Sequence, residues 1–226
     1  MSKRITFDAI DNHHYLNTLH SFGVDFRARE IYLSGEPDRA EMGDSDEPGV
    51  EFYMASKFIR NIRVLALESK KPILIHMKTC GGLWEEGMAI YDAIKHCPCP
   101  VTILNYTHAR SMSSLIFLAA DWRVMMPNSY FMFHHGEYAA YGEWKTVESG
   151  VDWTKRIVEP TMYDIYVEAL LGSKKWYAKS RDYCMKWLKA QMAHKGDVFL
   201  TAEEAVENGF ADEVFDGDWD SLTSWK

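Results

Sequence analysis

Apolar residues change their period several times along this 226-residue chain, and each change marks an element. Between residues 52 and 69, Met54, Phe58, Ile62 and Leu65 recur every three to four positions, which predicts an amphipathic helix. PILIHM (72–77) is apolar at nearly every position and predicts a buried strand. EEGMAIYDAI returns to the helical period, with Glu85 and Glu86 in the first turn, where the helix dipole favours carboxylates. VTILNY (101–106) predicts the next strand, SMSSLIFLAA (111–120) a helix apolar on nearly every face, and SYFMFHH (129–135) a further strand. EIYLSG, ahead of all these, predicts a short strand.

Residues 143 to 193 read as helical and aromatic, interrupted by Pro160 and Gly172. Within them Val158, Met162, Ile165, Tyr166 and Leu170 form an apolar stripe, which is expected to be covered by another subunit. The closing segment FLTAEEAVENGFADEVF carries a capping box at Thr201 and Glu204, and Gly209 suits the end of that helix. Strands alternating with helices, followed by a helical excursion, make the fold class α/β.

Composition narrows the function. A chain that is 47% hydrophobic and 26% charged buries a full core as one domain, with room for an appendage. The net charge of −8, with no Lys/Arg-rich block, removes the attraction on which nucleic-acid binding rests. MSKRITFDAIDNHHYLNTLH lacks the apolar core of a secretory signal, and no later run approaches the roughly 18 apolar residues of a membrane span. A cytoplasmic protein is expected. The cysteines at 80, 97, 99 and 184 do not suggest a disulfide framework. In HCPCP, Pro98 and Pro100 favour a turn over a metal site built on His96, Cys97 and Cys99. GEPDRAEMGDSDEPGVE (35–51) holds seven acidic residues and reads as a solvated loop.

Several residues at element ends could do chemistry. Gly81 and Gly82 follow one predicted strand, Ser111 opens a buried helix after the next, His134 closes a third, and Asp197 precedes the capped helix. Loops at strand ends are where α/β proteins place their sites. A serine, a histidine and an aspartate supply a nucleophile, its base and the group that orients the base. Each also has a plainer use: Ser111 as an N-cap, His134 as a satisfied strand histidine, Asp197 as a turn residue after Gly196.

CGGLWEEGMAIYDAI, ARSMSSLIFLAA, PNSYFMFHH and DVFLTAEEAVENGFAD together resemble the ClpP family, the proteolytic subunits of ATP-dependent Clp proteases. That family's motifs run PGG, GMAIYD, ASM, PNS followed by MIH, and an aspartate two residues before a phenylalanine. The resemblance extends from about Ile31 to Val214. It implies a repeated ββα spiral with a protruding helical handle at about residues 136–195. Residues 1–30 become an N-terminal segment suited to partner docking, and 31–226 the peptidase domain. By register Ser111 matches the nucleophile, His134 the base and Asp197 its orienting carboxylate, while Gly82 and Met112 match the oxyanion donors.

The resemblance further implies seven-membered rings stacked in pairs, unfolded polypeptide substrates and an AAA+ unfoldase that spends the ATP. No cofactor or metal is implied, and the chain has no G-x-x-x-x-G-K-[ST] loop of its own. The chain departs from the family in several places. Thr107 stands for a glycine, Arg110 for the alanine before the serine, and Cys80 for the proline before the glycine pair. Arg110 is expected to narrow the cleft or to favour acidic side chains near the cut. FHHG replaces IHQP, so His135 competes with His134. The stretches near 36–51 and 173–196 read as insertions. Two other functions stay open: a ring subunit without activity, and a crotonase-type acyl-CoA enzyme, which shares backbone oxyanion donors but has no use for the Ser-His-Asp set.

Overall fold

A computed structural model describes residues 9–35 and 47–224. Most of the acidic stretch predicted as a loop therefore lies outside the described residues. Among the described residues, eight strands form one mixed sheet. Helix α1 (Ala9–Phe22) leads into β1 (Val24–Asp25) and β2 (Glu30–Ser34). Helix α2 (Phe52–Glu68), β3 (Ile73–Thr79), α3 (Trp84–Lys95), β4 (Val101–Arg110) and α4 (Met112–Leu118) then alternate as the apolar periods predict. β5 (Trp122–Met125) and β6 (Tyr130–Phe133) follow, then α5 (Trp144–Trp153), α6 (Glu159–Leu171) and α7 (Arg181–Lys195), and finally β7 (Val198–Thr201), α8 (Ala202–Asn208) and β8 (Glu213–Val214). α1, β1, β5, β7 and β8 are elements that the periodicity does not announce.

The main path of the sheet runs β1-β2-β3-β4-β5-β8, parallel except for the first pair. β4 is the longest strand because it serves two neighbours in succession. Thr102 to Asn105 pair with β5, and His108 to Arg110 pair with β6. β6 in turn pairs antiparallel with β7. The fork therefore gathers the ends of β4, β6 and β7 at one place.

Local signals set the helix ends. Thr201 and Glu204 form the predicted capping box, and Gly209 closes α8 in the left-handed conformation at φ 82°. α2 is capped by Glu51, whose carboxylate accepts from the N–H groups of Tyr53 and Met54 at 2.8 Å each. Pro160 does not interrupt the long helix. It stands in the first turn of α6, next to a π-helical turn at Thr154–Val158 that carries α5 into α6 without a break.

The apolar stripe on this helix is covered differently from expectation. Met162, Ile165, Tyr166 and Leu170 are buried in the chain's own core, between α4 and α7. Tyr166 packs edge-on to Phe131 and Phe210, with ring centroids 6.4 and 6.0 Å away. The stripe is thus an intramolecular seam, because α6 leans back over α4 before the turn at Gly172. Among the described residues, α5 and the π turn after it, the outer half of the excursion, have no buried residue, and Trp144 there is 75% exposed. The aromatic stretch after Gly172 is packed as well. Trp176 is buried against Trp187, centroids 4.7 Å apart, and its indole N–H donates to Asn208 Oδ1 at 3.1 Å.

A second, smaller apolar cluster joins Leu74, Leu104 and Val124 to Leu222, with Phe215 packed against it. Beside it His76 bridges Glu30 and Tyr106, with Nε2 3.1 Å from Glu30 Oε2 and Nδ1 2.9 Å from the Tyr106 hydroxyl. No helix among the described residues is long and apolar enough to cross a membrane.

Two outcomes follow from this packing. Leu170→Ala is expected to cost about 2–5 kcal/mol in urea denaturation, and by the same amount at any protein concentration; a cost that grows on dilution would place the stripe at a subunit boundary. The hydrogen bond from His76 holds the Glu30 carboxyl below its ordinary value against the opposing effect of burial. Its stabilising share is therefore complete above the unfolded value of about 4.3 and is lost as pH falls through the folded one. Glu30→Gln should lower stability at neutral pH, and its deficit relative to the unsubstituted chain should close as the pH is taken below that range.

Candidate active site

The fork in β4 supplies the site. Ser111 is the first residue past β4 and stands between that strand and α4, with φ 52° and ψ −132°. A positive φ at a residue other than glycine costs on the order of 1–3 kcal/mol and persists only where the surroundings impose it. Ser111 does not act as an N-cap, since its side chain makes no capping hydrogen bond. The sharp strand-to-helix turn instead turns Oγ outward. It points at His134, whose Nε2 lies 2.9 Å from Ser111 Oγ.

Register explains the rest of the constellation. Arg110 pairs with Met132 across β4 and β6, and Phe133 pairs with Val198 across β6 and β7. The residues one step beyond those pairs are Ser111, His134 and Asp197. His134 Nδ1 lies 3.2 Å from Asp197 Oδ1, which leaves Nε2 free to face the serine. The histidine side chain is 23% exposed and the aspartate 51%. At that exposure solvent screens the charge, so the carboxylate contributes orientation more than stability. His135 does not compete for the serine. Its ring turns to α6, where Nδ1 is 3.0 Å from the Tyr163 hydroxyl.

The glycine pair is required by close backbone approach on both sides. Gly81 has φ 96°, and a side chain there would come within 2.8 Å of Ser111 Cβ and 2.9 Å of Met112 N. Gly82 has φ 151°, and a side chain there would meet the backbone of Val50. Val50 is bridged to this turn: its N–H donates to Gly81 O at 2.6 Å, and its carbonyl accepts from Leu83 N at 2.9 Å. Pairing of that kind leaves the Gly82 N–H facing away from Val50. Met112 is the first residue of α4, so its N–H has no acceptor inside the helix. Both Gly82 and Met112 line the cleft that contains Ser111 and His134.

That cleft has a volume of about 640 Å³ and runs from the fork to the base of α5. Its apolar surface comes from Leu83, Met112, Leu115, Trp153, Val158 and Met162, and its rim carries Glu85, Glu137 and Glu159. Arg110, the last residue of β4, is not among the residues that line the cleft. Cys80, in the place of the family's proline, turns its thiol toward the Glu47 carbonyl 3.6 Å away. Cys99 donates to Ser69 O, just past α2, at 3.2 Å and lies 3.6 Å from a nitrogen of Arg29, in the β1–β2 turn.

The five residues expected from the sequence lie together around this cleft, but the residues that brace the Ser111 turn were not among the expectations. Ser113 Oγ donates to Arg110 O at 2.7 Å, Ser114 Oγ donates to Ser111 O at 2.6 Å, and Tyr166 stands behind Ser114. Their signal was two serines inside an otherwise apolar helix.

Comparison with known proteins gives the chain a lineage. The ATP-dependent Clp protease proteolytic subunit of Deinococcus radiodurans is 29% identical over 172 residues, which span 74% of this chain and 76% of that protein. Among solved structures, a point mutant of ClpP1 from Listeria monocytogenes matches with a TM-score of 0.65 at 20% identity, over 87% of this chain and 96% of that one. At that identity the likeness carries the fold alone, and the fold is the ClpP fold. The model of the Clp protease family matches residues 47–218, well over half of the sequence, and the chain therefore belongs to the Clp protease family.

Proposed function

We propose that this chain is a serine endopeptidase subunit that cuts unfolded polypeptides through Ser111, His134 and Asp197. The observation that carries the proposal is the pair of contacts at the fork: Ser111 Oγ to His134 Nε2 at 2.9 Å, and His134 Nδ1 to Asp197 Oδ1 at 3.2 Å, opening on a cleft large enough for a peptide. Family membership gives peptidase chemistry, and this contact set supports the serine form of it.

Ser111 Oγ attacks the scissile carbonyl carbon while His134 Nε2 takes its proton. The resulting oxyanion is held by the N–H groups of Gly82 and Met112, each worth about 3 kcal/mol in the transition state. His134 returns the proton to the leaving amine, and the peptide's acyl group stays on Ser111. Water, deprotonated by the same nitrogen, then releases the acid. Asp197 keeps the proton of the neutral imidazole on Nδ1, so Nε2 presents its lone pair to the serine. The apolar cleft wall suits an uncharged side chain beside the cut.

The same proposal includes assembly. A subunit of this kind works inside stacked rings of seven, fed by an AAA+ unfoldase that hydrolyses ATP, with residues 1–30 as the docking segment and 31–226 as the peptidase domain. Enclosure of the cleft by other copies keeps folded proteins out of reach. The exposed outer half of the helical excursion, α5, supports a contact between rings there, since none of its residues is buried among the described residues and Trp144 is 75% exposed.

Labelling with a serine-reactive fluorophosphonate followed by mass spectrometry should find one adduct, on Ser111. Ser111→Ala should abolish peptide cleavage without lowering thermal stability, because the side chain caps nothing; an adduct elsewhere, or cleavage that survives, overturns the assignment. His134→Ala should lower kcat by about 10⁴-fold, whereas His135→Ala should cost less than about tenfold. Equal losses in the two variants would show that the base is not His134.

A further inference from the structure

A serine with positive φ needs something to hold it there. The turn at Ser111 is held by the helix that follows it. Ser113 Oγ accepts from Arg110 N at 3.0 Å and donates to Arg110 O at 2.7 Å. Ser114 reaches Ser111 O twice, from its N–H at 3.0 Å and from its hydroxyl at 2.6 Å. Behind it, on α6, the Tyr166 hydroxyl lies 2.7 Å from Ser114 Oγ. Ser114 and Tyr166 are both fully buried, amid Phe131, Phe133 and Phe210.

The direction of these bonds is fixed by counting protons. A hydroxyl has one proton to give, and that of Ser114 goes to Ser111 O. Tyr166 is therefore the donor to Ser114 Oγ. Burial pushes the Tyr166 phenol well above its ordinary pKa, so it keeps the proton it donates. The relay runs from Tyr166 O–H through Ser114 O–H to the carbonyl of Ser111. It is not needed to satisfy that carbonyl, which the Ser114 N–H already serves. Alanine at 114 with phenylalanine at 166 would leave no polar group stranded, and such paired replacements are close to neutral for stability.

We propose that Ser114 and Tyr166 are positioning residues that lock the backbone of Ser111, and so aim its Oγ at His134 and the Met112 N–H into the cleft. Because α6 continues through the π turn into exposed α5, the relay also ties the nucleophile's backbone to the base of the helical handle. The inference rests on Ser111 being the nucleophile.

The test is a double-mutant cycle on the full chain, comparing Ser114→Ala, Tyr166→Phe and the pair combined. Each is measured by urea midpoint, by kcat and KM on a fluorogenic peptide, and by the rate of fluorophosphonate labelling at Ser111. Ser114→Ala alone strands the buried Tyr166 hydroxyl and should lower the midpoint, which the double variant should largely restore. Labelling rate and kcat should stay about tenfold or more below the unsubstituted chain in the double variant, with KM within about twofold. Recovery of kcat together with stability in the double variant overturns the proposal, leaving the pair a packing feature only. Should Ser114→Ala not fold, the double variant decides alone by the same criterion. Failure of the unsubstituted chain to label at Ser111 refutes the nucleophile assignment itself, a result distinct from recovery in the double variant.

Discussion

β4 has to satisfy two neighbours in succession, and the candidate site lies where they part. Its first half belongs to the main sheet and its second half to the small antiparallel arm of β6 and β7. Two residues, Tyr106 and Thr107, separate the stretch paired with β5 from the stretch paired with β6. The register of the second set of pairs is what brings the residues after β4 and β6 and the residue before β7 side by side. Shifting β7 against β6 by one residue would turn Asp197 to the other face and leave His134 without its carboxylate.

Close approach is the second requirement at this place. The chain passes from Gly81 to Gly82 with the Ser111 turn on one side and Val50 on the other, and a single Cβ on either glycine has nowhere to go. The bare turn therefore has a structural cause before it has a chemical one. The same geometry that lets Val50 pair with the turn faces the Gly82 N–H the other way, toward the cleft. Packing and the proposed oxyanion site are two aspects of one backbone path.

Long elements were legible because their apolar periods had room to repeat. α2, β3, α3 and α4 appear where Met54, Phe58, Ile62, PILIHM and SMSSLIFLAA placed them. β5 and β7 have four residues each and β8 two, too few for a two-residue alternation to stand out, and β7 is further masked by the capped helix that follows it. Periodicity also reports that a stripe is buried without reporting what buries it. Ile165 and Leu170 read the same whether α4 or another subunit lies against them. At the site, residue types and order were legible, but the choice between His134 and His135 depended on strand register. The positive φ of Ser111 left no mark of its own, since serine is as common in a plain cap. The pair of serines after it, polar in a run that burial demands be apolar, was the one visible trace of the bracing beneath.

Because the fork joins segments far apart in sequence, the site has a place in time as well as in space. During synthesis Ser111 emerges long before Asp197, and the arm that carries the aspartate can pair with β6 only after the whole excursion from α5 to α7 has been made. Contacts of such sequence separation close late, after local helices and neighbouring strands have formed. On the proposed reading, a nascent or half-folded chain holds a serine with an incompletely assembled relay to activate it. On that reading the order of the polypeptide would work as a delay on hydrolytic competence, sparing the unfolded chains around it, its own sisters included, until the fold is finished.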